Sequence, residues 1–275
     1  MENPVKLPVI HEDKKEDNKM TDNNYDHHVY KYMELAKMDP AKKWVQYPGS
    51  LHMVREALGG EMKGKKILDI GCAEGTFSRM MAREGAEVIG YDPSAKEITE
   101  AQEKEIEENL GIKYFVADHP SIDLENKFDV ATAILVLSLM ENEQQLEQIF
   151  EYASKSLKSG GKFVVLTINP EFNRFANSED DSILYNRRFK KTDKEKQFTL
   201  DFFDNDKNFK FSIKGMQFSK DDHRQAAIKV GFREEIVWKN MKVPQEAKIE
   251  MGEKFWEKFE GENRCPYIGM VACKQ

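Results

Sequence analysis

From residue 64 onward, short apolar runs alternate with longer stretches in which apolar positions recur at helical spacing. "KKILDI", "AEVIGYD", "IKYFVAD", "KFDVATAILVLSL" and "KFVVLTI" are runs bounded by charge or glycine. Such runs, with little polar alternation, predict buried strands. Between them, Thr76–Glu84 places Phe77, Met80 and Met81 on one helical face and stops at Gly85. Residues 93–111 form a second helix, with Ser94 and Glu97 as a capping box and Gly111 as terminator. Residues 141–161 carry a third, with Leu146, Ile149, Phe150, Ala153 and Leu157 as its stripe. This alternation predicts an α/β fold, a parallel sheet covered by helices on both faces. Ligands of such sheets bind beyond the carboxyl ends of the strands.

The ends of the chain depart from that pattern. Residues 1–23 are polar and aperiodic, and predict a disordered tail. Residues 24–63 hold Tyr25, Tyr30, Tyr32, Trp44 and Tyr47 in short helical segments, a helical cap or lid ahead of the sheet domain of residues 64–275. Residues 170–216 are a polar insertion followed by a β-hairpin, "QFTLDFF" and "FKFSIKG". The charged run "NSEDDSILYNRRFKKTDKEK" at 177–196 predicts a solvated loop. A helix capped by Ser219 and Asp222 and two further strands, "EEIVWKN" and "YIGMVACK", complete the chain.

Composition narrows the function classes. With 42 basic and 49 acidic residues the chain is net acidic, against a nucleic-acid partner. No apolar run reaches the ~18–20 residues of a membrane span, and no secretory h-region is visible, so a cytoplasmic protein is expected. Cys72, Cys265 and Cys273 have no metal-ligand or disulfide-framework spacing.

The chemistry concentrates between strands one and two. A dinucleotide site needs G-x-G-x-x-G. Counting from Gly71, the second and third positions hold Ala73 and Thr76. What stands there is Asp69-x-Gly71-x-Ala73-x-Gly75, with Cys72 inside it. Asp92, followed by Pro93, ends the second strand, where a carboxylate can accept both hydroxyls of an unphosphorylated ribose. The same residues also suit a tight strand-to-helix turn and a helix cap.

The loop resembles that of class I S-adenosylmethionine (SAM) methyltransferases, D/E-x-G-x-G-x-G, with alanine for the middle glycine. "EGTFSRMMAREGA", "QEKEIEENLGIKY", "SGGKFVVLTINP" and "GEKFWEKFE" extend the similarity to the ToxA-like small-molecule methyltransferases over roughly residues 24–274. The resemblance implies a Rossmann-like, mostly parallel seven-stranded sheet with SAM as cofactor. It implies Asp118 at the adenine amine with His119 beside it, Ala133 and Leu135 along the methionine moiety, and Tyr25 to Tyr32 in a lid. Helix capping, an exposed turn and plain core are the alternatives for Asp118, His119 and the Ala133–Leu135 pair. The departures are Phe77 for the loop tyrosine, "GCAEG" for A-C-G-E-G, and "VLSLM" after strand four. They fall near the acceptor pocket, so the resemblance carries the cofactor and leaves the acceptor open.

The expected activity is methyl transfer to nitrogen or oxygen of a small, aromatic or heterocyclic acceptor, by a monomer or dimer. Tyr25, His28, Tyr32 and Glu171 are candidate proton acceptors, if one is needed. Phe202, Phe203, Phe211, Trp238 and Trp256 either wall the acceptor or form core. Cys72 is expected to fill space in the loop, since nothing in sequence near it would activate a thiolate. Competing readings are an inactive SAM-binding module, a protein or nucleic-acid methyltransferase, and a dehydrogenase. The second lacks an (N/D)-P-P-(Y/F) stretch after strand four.

Overall fold

The computed structural model describes residues 39–117, 124–173, 186–204, 206–257, 259–260 and 264–275. Within them a seven-stranded sheet runs in the order β3-β2-β1-β4-β5-β10-β9. Its strands are β1 (Lys66–Ile70), β2 (Glu87–Asp92), β3 (Lys113–Val116), β4 (Phe128–Ile134), β5 (Leu157–Ile168), β9 (Phe232–Asn240) and β10 (Tyr267–Lys274). β1 to β5 pair in parallel, and β10 is antiparallel to both of its neighbours. The predicted mostly parallel, seven-stranded sheet is therefore observed.

Helices cover both faces. α1 (Tyr47–Ala57), α2 (Thr76–Arg83) and α3 (Ala95–Glu108) bury Met53, Val54, Phe77, Met81, Ile98 and Ala101 against one face. α4 (Glu143–Ser156) and α5 (Lys220–Lys229) bury Leu146, Ile149, Phe150, Ala226 and Ala227 against the other. The caps follow from the sequence. Asn142 Oδ1 accepts from Gln145 N–H at 2.9 Å, and Ser219 with Asp222 forms a complete capping box. At α3 only half of the predicted box exists. Ser94 Oγ accepts from Glu97 N–H at 3.3 Å, but Asp92 Oδ1, and not Glu97, accepts from Ser94 N–H.

Two other boundaries shift. The apolar run after β4 does not continue as strand. Leu135 takes φ 62° and Leu137–Leu139 form a 3₁₀ turn, so the strand breaks at the edge where a ligand would lie. α4 ends at Ser156, and "LKSGG" is already part of β5.

The predicted hairpin is a three-stranded antiparallel sheet of β6 (Arg187–Lys191), β7 (Gln197–Phe203) and β8 (Phe209–Met216). β6 is the correction to the solvated-loop expectation for 177–196. Of that run, 186–196 are described, and Arg187, Arg188 and Phe189 are buried. The sheet neutralises the charges. Arg188 donates to Asp201 Oδ2 at 3.0–3.1 Å and lies 5.0 Å over the Phe203 ring. Arg187 is ion-paired with Asp39 and lies 5.1 Å over Phe202. A buried cation is tolerated when paired and stacked in this way. A third core cluster joins this sheet to the amino-terminal segment, through Ala41, Val45, Ile168, Phe198, Phe202, Phe211, Trp256 and Tyr267. Two short helices, α6 (Gln245–Met251) and α7 (Glu253–Trp256), close it, with Trp256 Nε1 donating to Ala247 O at 3.0 Å.

Of the predicted cap at 24–63, the described part is residues 39–63. It forms a wide π-type turn over Lys42–Gln46 that runs into α1. The tail, Tyr25, His28 and Tyr32 lie outside the described residues.

Candidate functional site

The loop leaving β1 is held by its backbone. Gly71 (φ 69°), Ala73 (φ 47°) and Gly75 (φ 77°) are all left-handed, every second residue. Gly71 and Cys72 N–H both donate to Tyr91 O, at 2.7 and 3.1 Å. A Cβ on Gly71 would sit 2.4 Å from Val136, and one on Gly75 2.4 Å from the Tyr114 hydroxyl. These two positions need glycine. Ala73 adopts the same region with its methyl, at roughly 1–2 kcal/mol of backbone strain.

Asp92 organises the loop from β2. Its Oδ2 accepts from Ala73 N–H and its Oδ1 from Ser94 N–H, both at 2.9 Å. Ser94, not Asp92, caps α3. The Asp92 carboxylate lines the cavity described below, and a carboxylate has about four lone-pair sites. Asp69 is engaged inward, taking hydrogen bonds from Ser78 Oγ (2.6 Å) and Thr132 Oγ1 (2.7 Å). Burial raises its carboxyl to about 6, against the pull of those two hydroxyls. It ties α2 and β4 to β1. Burial, with the charges of Asp92, Asp69 and Glu74, pushes the Cys72 thiol well above its ordinary value, which fits a space-filling role.

A cavity of about 1410 Å³, open mouth included, extends from this loop to the second sheet. Its first half is Asp69–Ala73, Asp92, Pro93, Leu135, Val136 and Met140. Its second half is mostly apolar, with Ile168, Phe198, Leu200, Phe202 and Ile213, plus Arg187 and Tyr267. Lys42 and Gln46 reach it from the amino-terminal turn.

The structure thus gathers Asp69, Gly71, Cys72, Ala73, Asp92, Pro93 and Leu135 around one cavity, with Gly75 in the turn behind. Ala133 is fully buried in β4, one residue from the lining Ile134. Asp118 and His119 lie outside the described residues. Glu171 is not in the cavity wall. It is exposed and paired with Lys220 at 2.8 Å, held there because the turn after β5 points it to solvent. Of the five predicted aromatics only Phe202 lines the cavity. Phe211 stacks behind it at 4.5 Å, and Trp238 faces His223 in the other core. Sequence reasoning missed Lys42, Gln46, Arg187 and Tyr267. The first two stand four apart, a helical repeat that marks them as sharing a face. Arg187 sits in a charge run whose one strand signal is Phe189.

Residues 67–161 match the family model for a methyltransferase domain. That segment is similar to methyltransferase domains. Among curated proteins, the chain is 32% identical over 142 residues to a ubiquinone biosynthesis O-methyltransferase of Chelativorans sp. (strain BNC1), covering 50% of this chain and 55% of that protein. It is 36% identical over 108 residues to the enzyme of the same name from Pelagibacter ubique (strain HTCC1062), covering 39% and 44%. The chain thus spans about half the length of the curated relatives it matches. Among solved structures, a SAM-dependent methyltransferase from Clostridium acetobutylicum ATCC 824 superposes with a TM-score of 0.59 at 17% identity, over 91% of this chain and 98% of that one. The CcbJ methyltransferase of Streptomyces caelestis gives 0.59 at 17%, over 82% and 89%. At such identities the likeness concerns the fold alone. The antiparallel β10 inserted beside β5 also separates it from the six-stranded, all-parallel dinucleotide order.

Proposed function

We propose that the chain is a SAM-dependent methyltransferase acting on a small-molecule acceptor, at oxygen or nitrogen. The observation that supports this most is the continuous cavity between the Gly71–Gly75 loop and the apolar wall of the second sheet. Bound SAM would supply an activated methyl on a sulfonium leaving group. Asp92 would accept from the ribose hydroxyls, and the loop backbone, Leu135 and Val136 would lie against the remainder. Phe198, Leu200, Phe202 and Ile213 would clamp the acceptor and keep water out. Orientation of two bound partners supplies roughly 7–11 kcal/mol of barrier reduction, so a strong base is not required. Tyr25, His28 and Tyr32 remain the proton-acceptor candidates on the segment leading to Asp39. Asp118 and His119 are assigned to the adenine edge. The ubiquinone relatives are named for O-methylation, which favours oxygen. We also propose that residues 24–63 act as a lid over the cavity, since the Lys42–Gln46 turn already forms part of its wall.

The test is transfer of labelled methyl from SAM to a panel of phenols and nitrogen heterocycles. Turnover of any acceptor supports the enzyme reading. Cofactor binding without turnover across the panel supports the alternative, a SAM-binding module without catalysis.

A further inference from the structure

Gln46 is a cavity-wall residue whose side-chain hydrogen-bonding groups the described fold leaves unmet. It is 1% exposed and lines the cavity. Neither its carboxamide oxygen nor its nitrogen has a hydrogen-bond partner. Leaving a buried amide unsatisfied is unfavourable, and such groups in native folds mark an absent partner. The backbone around it is a π-type turn, an uncommon geometry that recurs at functional positions.

Its neighbours fix where it stands. Val45, the residue before, packs with Ile168, Phe198, Phe202 and Tyr267 in the acceptor half. Tyr47, the residue after, stacks on Phe77 of α2 at 5.9 Å, beside the loop. One turn earlier, the charge of Lys42 helps draw the Glu74 carboxyl of the loop below its ordinary value, against burial. Gln46 therefore occupies the seam between the two halves, where cofactor and acceptor meet. Three other polar groups of the wall are committed. Arg187 is ion-paired to Asp39 and donates to the Tyr267 hydroxyl at 3.4 Å, Asp69 is held by Ser78 and Thr132, and Ser138 Oγ donates to Leu135 O at 3.5 Å.

Resting on the methyltransferase reading, we propose that Gln46 is an acceptor-binding residue. It selects a planar acceptor that carries a hydrogen-bond donor and a hydrogen-bond acceptor on adjacent atoms of one edge. A carboxamide presents one accepting oxygen and a donating NH₂ in one plane, and such an edge satisfies both together. The donor of the acceptor molecule, an O–H or N–H, points at Gln46 Oε1, which orients the lone pair of that atom. A vicinal diol and a lactam offer the same pattern from different chemistry. The apolar walls bind the ring, and Gln46 reads its edge.

The experiment uses the full chain saturated with S-adenosylhomocysteine, titrated calorimetrically with catechol, 2-pyridone, phenol and anisole. The wild type should bind catechol or 2-pyridone at least tenfold tighter than anisole, with phenol between. The stronger of the two names the source of the pattern. Gln46→Leu should bring all four within threefold, and Gln46→Glu should weaken the preferred probe. S-adenosylhomocysteine affinity should stay within threefold in both variants. The apo Gln46→Leu protein should melt no lower than wild type, because no intramolecular hydrogen bond is lost. Equal binding of all four probes by the wild type, an unchanged preference in Gln46→Leu, or a lower melting temperature of apo Gln46→Leu would each overturn the proposal. Failure of the wild type to bind S-adenosylhomocysteine would instead overturn the methyltransferase reading beneath it.

Discussion

Replacing Gly71 by alanine tests the loop geometry at its tightest point. Gly71 has φ 69°, and its amide is pinned to Tyr91 O at 2.7 Å, so the residue cannot rotate away. The left-handed region costs a non-glycine residue roughly 1–2 kcal/mol. Ala73 shows that this loop carries such strain at one position. At Gly71 a second effect is added, because the new Cβ would lie 2.4 Å from Val136 Cγ2 and 3.5 Å from Val136 Cβ. Overpacking of this kind costs about 1–3 kcal/mol. The sum, about 2–5 kcal/mol, is a large share of the 5–15 kcal/mol that holds a typical domain together. Urea melts of Gly71→Ala should show the unfolding free energy falling by that amount, through a lower midpoint at unchanged slope. Val136→Ala in the same background removes the clashing Cγ2 methyl, and should return the overpacking part while leaving the strain. Contacting residues couple in such cycles by about 0.5–3 kcal/mol. The reasoning is refuted if Gly71→Ala stays within about 0.5 kcal/mol of wild type, the range of an inert surface change, or if the two substitutions are simply additive.

Asp92→Asn should destabilise by about 1–3 kcal/mol in a urea melt, since its amide nitrogen must face one of two backbone donors, Ala73 or Ser94 N–H; stability equal to wild type would contradict that pairing. Glu97 is 0% exposed with neither carboxyl oxygen hydrogen-bonded, and burial, with Glu74, Asp92 and Glu100, raises it to about 8. A raised carboxyl adds stability that is full below the unfolded value, near 4.5, and is lost as pH rises through about 8. Wild type should therefore lose several kcal/mol relative to Glu97→Gln between pH 5 and 9, at about 1.4 kcal/mol per pH unit; parallel stability curves would sink the idea. For the lid, amides between residues 25 and 47 should gain hydrogen-exchange protection when S-adenosylhomocysteine is added, and equal protection with and without it would mean a static layer.

The sheet was legible because its central strands are buried on both faces. "KKILDI" and "KFVVLTI" leave no room for another assignment, and Ser219 and Asn142 mark their helices by capping chemistry that acts locally. The loop half of the cavity was legible for a local reason as well. Gly71, Gly75 and Asp92 are chosen by backbone conformation and by a short hydrogen-bond circuit within adjacent segments. What was hidden depends on long-range pairing. Arg187 and Arg188 look like solvated charge until Asp39, Asp201, Phe202 and Phe203 are brought against them. Gln46 is an ordinary helix residue in sequence, and its burial beside the cavity exists only once α1 crosses the sheet. The sequence places Leu135 at the end of the fourth strand, but its left-handed turn there (φ 62°) is hidden, because β-branched and aliphatic residues around it favour extension. Its N–H still pairs with Leu166 O at 2.8 Å as the chain turns.

The central claim is that the cavity beside Asp92 binds a nucleoside joined to an amino acid and not a dinucleotide. Calorimetric titration of the full chain with S-adenosylhomocysteine and with NAD, side by side, addresses it directly. The account predicts saturable binding of S-adenosylhomocysteine, one molecule per chain, weakened in Asp92→Asn, and no heat of binding with NAD. Saturable binding of NAD with none of S-adenosylhomocysteine would contradict it.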